Sequence, residues 1–383
     1  MGEAGVVSRV RAGELRGTFV PLSRRGMVLP LLVFGADCAL YATGIVGAVE
    51  SDGLAEKLAF ALLAGAFTSL LAIVGHDAIH RSFTSSRVLN RLIGTIAFLP
   101  ALHPYSRWEH LHNHVHHRFT AQLGLDNAYP PMTVSEYAYA SPARQRWYRF
   151  KRSLGGQAVY YFIDVWLPKI FMPSRAERAS FRRADWIDFA FVYLWLAGLI
   201  ATLTALAFFG AKLTLGAAVT DAALFGVLLP FLVWNVFFSF LTFVQHTGPD
   251  VHWILPTGHP STSSEKLRGT AHVILPGTVD WFLHRAMQHP AHHIHSGIAL
   301  YALKRAQAEV ARRWPEETIT ARWTPSYHWR LTRDCKLYDP QADCWCDFAL
   351  RPTTGPHVRQ SSSSSGFIKS SSIKLADPHH ARG

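Results

Sequence analysis

The chain has 383 residues, 49% of them hydrophobic, with a formal charge of +12 and 21 histidines. Its mean hydropathy of +0.10 is high for a wholly soluble protein, and the apolar residues gather into long stretches, which argues against an ordinary soluble domain and for a partly membrane-embedded one. No DNA-reading motif accompanies the positive charge, so no nucleic-acid partner is expected; the charge reads as retention of Lys and Arg on one membrane face plus attraction to anionic lipid.

Residues 1–27 are basic, with Arg9, Arg11, Arg16, Arg24 and Arg25. Two apolar stretches follow at 28–48 and 57–75, each about 20 residues long and sufficient to cross a bilayer as helix. The first starts late and lacks a small-residue cleavage site, so it is expected to be retained rather than removed as a signal peptide. Asp37 falls near its middle, where a carboxylate should face the bundle interior and find a partner; the sequence names none. The connection 49–56 is acidic, whereas the interval 76–186 is rich in arginine, including Arg81, Arg87, Arg91, Arg107 and Arg118. By the positive-inside rule, both termini and this interval are expected in the cytosol.

Within that interval the apolar piece 91–102 contains Pro100 and is too short to span, so an interfacial or re-entrant segment is expected. Two further spans, 187–210 and 222–244, form a second hairpin. Residues 247–350 form a second cytosolic segment, and 351–383, with SSSSSGFIKSSS, reads as a disordered tail. Cys38, Cys335, Cys344 and Cys346 fit neither a CxxC pair nor a disulfide framework and read as reduced thiols. The expected fold is an all-α membrane protein: four transmembrane helices in two hairpins (28–75 and 187–246) beneath a cytosolic, histidine-rich helical cap.

The histidines cluster where the chain faces the cytosol. His76 and His80 leave the second span four residues apart, on one helical face; alone, that pair is better explained as polar residues at a helix end. In HLHNHVHH, His112 and His116 share a helical face with His117 turned by about 100°, so three rings can reach one site. His110 and His114 lie on other faces, and His103 reads as interfacial. QHPAHHIH places His289, His292 and His293 at i, i+3 and i+4, with Pro290 tolerable only in a first helical turn; His284 and His295 fall outside the pattern. His246 closes the fourth span level with His76. Nine imidazoles are too many for one tetrahedral zinc and suit two metals with open positions, and such thiolate-free ligation is compatible with iron. Asp77 is a candidate hydrogen-bond partner for a ligand ring, against the plainer reading of a solvated helix-end charge.

HxxxH, HxxxHH and HxxHH in this order, each beside a membrane segment, resemble the three histidine boxes of membrane fatty-acid desaturases. HNHVHHRFT with LDNAYPPMTVSEY, then FVQHTGP, KLRGTAHVILP, QHPAHHIHSGIALYAL and DCKLYDP, resemble the bacterial omega-6 (delta-12-type) branch over roughly residues 60–350. The resemblance implies iron ligation by His76, His80, His112, His116, His117, His289, His292 and His293. It also implies His246 as the ring completing the set, with His272 as the rival for that place. Where relatives usually carry HDxGH this chain has Ile79, and Gln288 and Pro290 flank the third-box histidine in place of an acidic residue or threonine; these changes bear on access and substrate geometry.

The chemistry so implied is an O2-dependent desaturation with two iron ions, because an unactivated methylene has no acidic proton for side chains to remove. No flavin, nicotinamide or haem-binding fingerprint is present, so electrons are expected from a separate ferredoxin-like carrier and its reductase, steered by the arginine-rich face. The expected partners are therefore a fatty-acyl substrate carried on lipid, coenzyme A or carrier protein, that electron carrier, and membrane lipid. Related scaffolds also hydroxylate, form acetylenic bonds or oxidise carotenoids. A metal transporter, the remoter alternative, should show several ionisable residues inside its spans, and only Asp37 does so here.

Overall fold

The computed structural model describes residues 17–355; Arg9, Arg11, Arg16 and the tail from 356 lie outside the described residues. Among the described residues, four segments are long and apolar enough to cross a membrane: α1 (Val28–Glu50), α2 (Leu54–Ile79), α5 (Arg183–Phe209), and a 32-residue segment Leu215–His246. The last comprises α6 (Leu215–Asp221), a π-helical turn (Ala222–Leu228) and α7 (Leu229–His246). Each runs past the apolar stretch that announces it, because once nucleated a helix continues through polar residues until a cap or breaker stops it.

The four are not equivalent. In α2 and the Leu215–His246 segment, 67% and 44% of the most apolar window is buried, against 28% in α1 and 17% in α5, so the former make the inner pair and the latter face outwards. At the end of the bundle carrying the acidic connection, Lys57 pairs with Asp221. At the other end Arg91 grips Asp188 through two hydrogen bonds of 2.6 and 2.8 Å, and Asp188 also accepts from the Ser106 amide at 2.8 Å. Asp188 thereby ties the segment after α2 to the start of α5.

That segment begins with α3 (Arg87–Phe98), capped by the Ser86 hydroxyl on the Leu89 amide. Ile93, Gly94, Ala97 and Phe98 are buried, while Val88, Leu92 and Ile96 lie exposed. An amphipathic helix this short with an exposed apolar stripe fits the interfacial reading. Two glycines let α3 approach α2: a Cβ on Gly75 would lie 2.7 Å from the Phe98 ring, and one on Gly94 2.9 Å from the Ala78 Cβ. Gly75 immediately precedes His76, so this approach seats the first histidine.

Beyond α3 come α4 (Tyr105–Glu109), continued by a π-helical turn (His110–His116), and a π-helix at Tyr161–Phe171. After α7, the chain forms α8 (Gly277–Phe282), α9 (His289–Ile294) and α10 (Leu300–Arg313). Two small sheets complete the cap: β1 (His272–Ile274) pairs in parallel with β2 (Thr320–Arg322), and β3 (Leu337–Asp339) pairs antiparallel with β4 (Cys344–Cys346). Cys335, Cys344 and Cys346 are buried free thiols.

Candidate metal centre

All nine candidate histidines converge at the junction of the inner helices with the cap, and they divide into two groups. His76, His80, His112, His117 and His292 form the first, and His116, His246, His289 and His293 the second; within each, the ring nitrogens lie within 4.8 Å of one another. His117 and His293 stack across the boundary with centroids 4.3 Å apart, so the groups adjoin.

This division corrects the expectation that His112, His116 and His117 reach one site. His110–His116 is π-helical, and the His117 amide bonds to the His112 carbonyl at 2.9 Å, five residues back. In i→i+5 geometry, residues five apart come into register, where an α-helix would align those four apart. His112 and His117 therefore meet, Nε2 to Nε2 at 3.0 Å, and His116 turns to the other group. In the third box α9 is regular. Gln288 precedes it without a side-chain cap, and Pro290 lies in its first turn. His289 and His293, four apart, join the second group, and His292 faces the first.

The partners of the distal ring nitrogens fix which nitrogen holds a lone pair. His116 Nδ1 donates to Asp126 Oδ1 at 2.7 Å, and His246 Nδ1 donates to the Gly269 carbonyl at 3.3 Å. Thr120 Oγ1 donates to the His116 carbonyl at 2.9 Å, leaving its oxygen to accept from His293 Nδ1 at 3.1 Å. With those protons on Nδ1, the three Nε2 atoms carry lone pairs. These point inward: His246 to His289 at 2.8 Å, His289 to His293 at 3.0 Å, His293 to His116 at 3.1 Å. The lone pairs of His116 and His293, aimed at one another at 3.1 Å, are repulsive unless a cation sits between them. In the first group His80 Nε2 is buried without a partner, and His117 Nε2 lies 3.0 Å from His292 Nε2. The residues thus fit metal ions at both places. Burial, reinforced by neighbouring rings, holds His112, His117, His289, His292 and His293 well below the usual imidazole range. They are neutral at physiological pH, the form in which imidazole binds a metal.

Asp77 is buried, which removes its reading as a solvated charge. Its closest bond runs to the Leu300 amide, 2.7 Å, joining α2 to α10, while His76 Nδ1 lies 3.4 Å from its other oxygen. The shorter carboxylate contact to a clustered ring belongs to Asp126, whose only sequence signal is its place in LDN after the second box. His272 sits on β1, outside both groups. His103 is buried rather than interfacial, bonded to the Ala101 carbonyl and the Tyr161 hydroxyl at 2.7 Å each, and burial takes its pKa down to about 3. His110, His114 and His295 stand apart from the cluster as expected. Asp37 finds its partner in His284, Oδ2 to Nε2 at 2.8 Å.

On the membrane side of the histidines lies a cavity. His76, His112, His116, His246, His289 and His292 form one wall; Ala72, Ile73, Trp108, Val165, Phe238, Leu241, Leu300 and Leu303 make the rest largely apolar. Ile79 packs in the core with Phe98 and Leu102, outside the lining, so replacing a smaller residue there leaves the cavity wall unchanged.

A family model described as fatty acid desaturase matches residues 56–325. The chain is 30% identical to the sn-1 oleoyl-lipid 12-desaturase of Picosynechococcus sp. over 283 residues, covering 70% of this chain and 73% of that protein. It is likewise 30% identical to the enzyme of that name from Synechocystis sp., covering 73% and 74%. Against the chloroplastic omega-6 fatty acid desaturase of Brassica napus it is 27% identical, covering 79% and 64%.

Proposed function

Since the chain belongs to the fatty acid desaturase family and is a membrane enzyme of that class, we propose that its nine clustered histidines hold two iron ions and that it introduces a double bond into a fatty-acyl chain in the omega-6 or delta-12 manner. Its co-substrate is O2 and its electrons come from a separate ferredoxin-type carrier served by a reductase. The observation that carries this reading is the convergence of imidazole ring nitrogens in two adjoining groups on the wall of an apolar cavity.

Bound iron, with O2, supplies the hydrogen abstraction that no side chain can perform. The protein's own contribution is positional. Asp126, Thr120 and the Gly269 carbonyl hold the protons of three rings on Nδ1 and aim their Nε2 atoms inward. Neutral, buried imidazoles avoid the repulsion a charged ring would bring to a cation. The apolar cavity lays a methylene chain along the histidine wall and keeps water from it. Trp108, stacked on His112 with centroids 5.4 Å apart, offers a flat surface at that wall.

The spans make this an integral membrane protein. The arginines around the cap support placing the metal centre, both termini, and the segments 76–186 and 247–350 on the cytosolic side. The names of the cyanobacterial relatives support a lipid-linked oleoyl chain as substrate.

The test is expression in a bacterial host with fatty-acid profiling by mass spectrometry. New unsaturated chains are expected from the native protein, and none from His116→Ala or His293→Ala, with both variants still inserted in the membrane. Hydroxylated or acetylenic products would assign a sister reaction, and full activity in either variant would contradict the ligand set.

A further inference from the structure

The segment between β1 and α9 lies lower in the bundle than its place in the chain suggests. His284 meets Asp37, nine residues into α1 and so about 13 Å along its axis. Phe282 packs edge-on against Phe67 with centroids 6.1 Å apart, and Phe67 lies nine residues before His76 on α2, again about 13 Å down. Two contacts on different helices thus set the same depth, near mid-span of α1.

Backbone inside a bilayer must satisfy its own polar groups, and five of the six amides of 283–288 do so. The amides of Leu283, His284, Arg285, Ala286 and Gln288 bond to carbonyls of residues 279–285 at 2.9–3.1 Å. The Ala286 carbonyl accepts from Gln245 at 2.9 Å. Left-handed backbone at His284 and Arg285, φ 49° and 63°, closes the turn that makes this possible. Its charges are paired: Asp280 accepts from Arg285 at 2.5 Å and from Gln288 at 3.0 Å. What α8 turns outward is apolar, with Val279, Trp281 and Phe282 exposed at 41%, 68% and 42%. The segment meets α1 at the Asp37–His284 pair, and α1 itself exposes Leu32 and Leu40 and is mostly unburied.

His284 belongs at once to the wall of the histidine-lined cavity and to the contact with α1. We propose that residues 277–288 form a re-entrant segment immersed in the leaflet, and that the seam between α1 and this segment, closed by the Asp37–His284 pair, admits the acyl chain of a membrane lipid sideways into the cavity. The segment is then an exception to the cytosolic placement of 247–350. The proposal rests on the desaturase reading for the cavity's purpose and narrows its substrate to a bilayer lipid over a water-soluble thioester.

The experiment uses the full chain in nanodiscs containing phosphatidylglycerol with a mid-chain diazirine, irradiated and mapped by peptide mass spectrometry. Adducts are expected on 277–288 and, within the cavity, on Ile73 or Leu303. His284→Trp, which fills the seam, should abolish the cavity adducts while leaving those on the outer faces of α1 and α5; His284→Phe serves if the larger ring prevents folding. Labelling of α1 and α5 without 277–288 would overturn the immersion. Unchanged cavity labelling in the filled variant, or stronger cavity labelling from a diazirine acyl-coenzyme A added in solution, would overturn the route. None of these readouts requires turnover, so they stand apart from the profiling that tests desaturation.

Discussion

Asp126 shows how much a residue outside the histidine boxes contributes to them. Its side chain is fully enclosed, and besides His116 it accepts from the Ala121 and Ala128 amides at 2.7 and 2.9 Å, so the carboxylate is locked in place while it orients the ring. A carboxylate behind a metal-binding histidine raises the ring's basicity, and losing one typically costs roughly 10–100-fold in metal affinity. Asp126→Ala is therefore expected to weaken iron binding by about that factor in the group containing His116, read by metal titration of purified protein. Unchanged affinity would mean that Asp126 serves only the loop. The nine histidines were legible because their chemistry is concentrated in one residue type at ligand spacing. Asp126 was not, because a carboxylate ten residues from its ring, in a loop, carries no periodicity to mark it.

Among the elements, the π-helical turn matters most to the site. The spacing HxxxHH is compatible with an α-helix, so nothing in the letters distinguishes two rings aligned four apart from two aligned five apart. The i→i+5 bond from His117 to His112 decides it. Because a π turn carries one residue more than an α turn, deleting Val115, which is not among the candidate ligands, should let the segment revert to α-helix with His112 and His117 four apart and still facing each other. The expected outcome is membrane insertion and iron loading both retained. Loss of iron from the deletion variant would show that the π turn itself, and not only the meeting of His112 with His117, is needed at the site. The spans, by contrast, were readable from apolar length alone, and their helical ends ran further than expected because hydropathy marks the bilayer and not the helix.

Over the whole molecule, the proposed orientation rests on the arginine-rich cap and the four spans. If arginines on the cap steer an acidic electron carrier, reduction should slow as ionic strength rises past about 0.1 M, where the screening length falls to roughly 10 Å. Stopped-flow reduction by ferredoxin across a salt series checks this, and a salt-independent rate would remove electrostatic steering. Long-range pairing was the least legible feature at this scale. Asp37 and His284 stand 247 residues apart, and only folding shows that an intramembrane carboxylate, a feature a transporter would also carry, is satisfied by a ring from the cap.

The central claim is that rings from three boxes and the end of the fourth span gather around a pair of metals. Anomalous diffraction at the iron edge from the purified, active protein tests it most directly. Two iron peaks are predicted, one ringed by His76, His80, His112, His117 and His292, the other by His116, His246, His289 and His293. A single peak, or full turnover from protein stripped of iron, would contradict it.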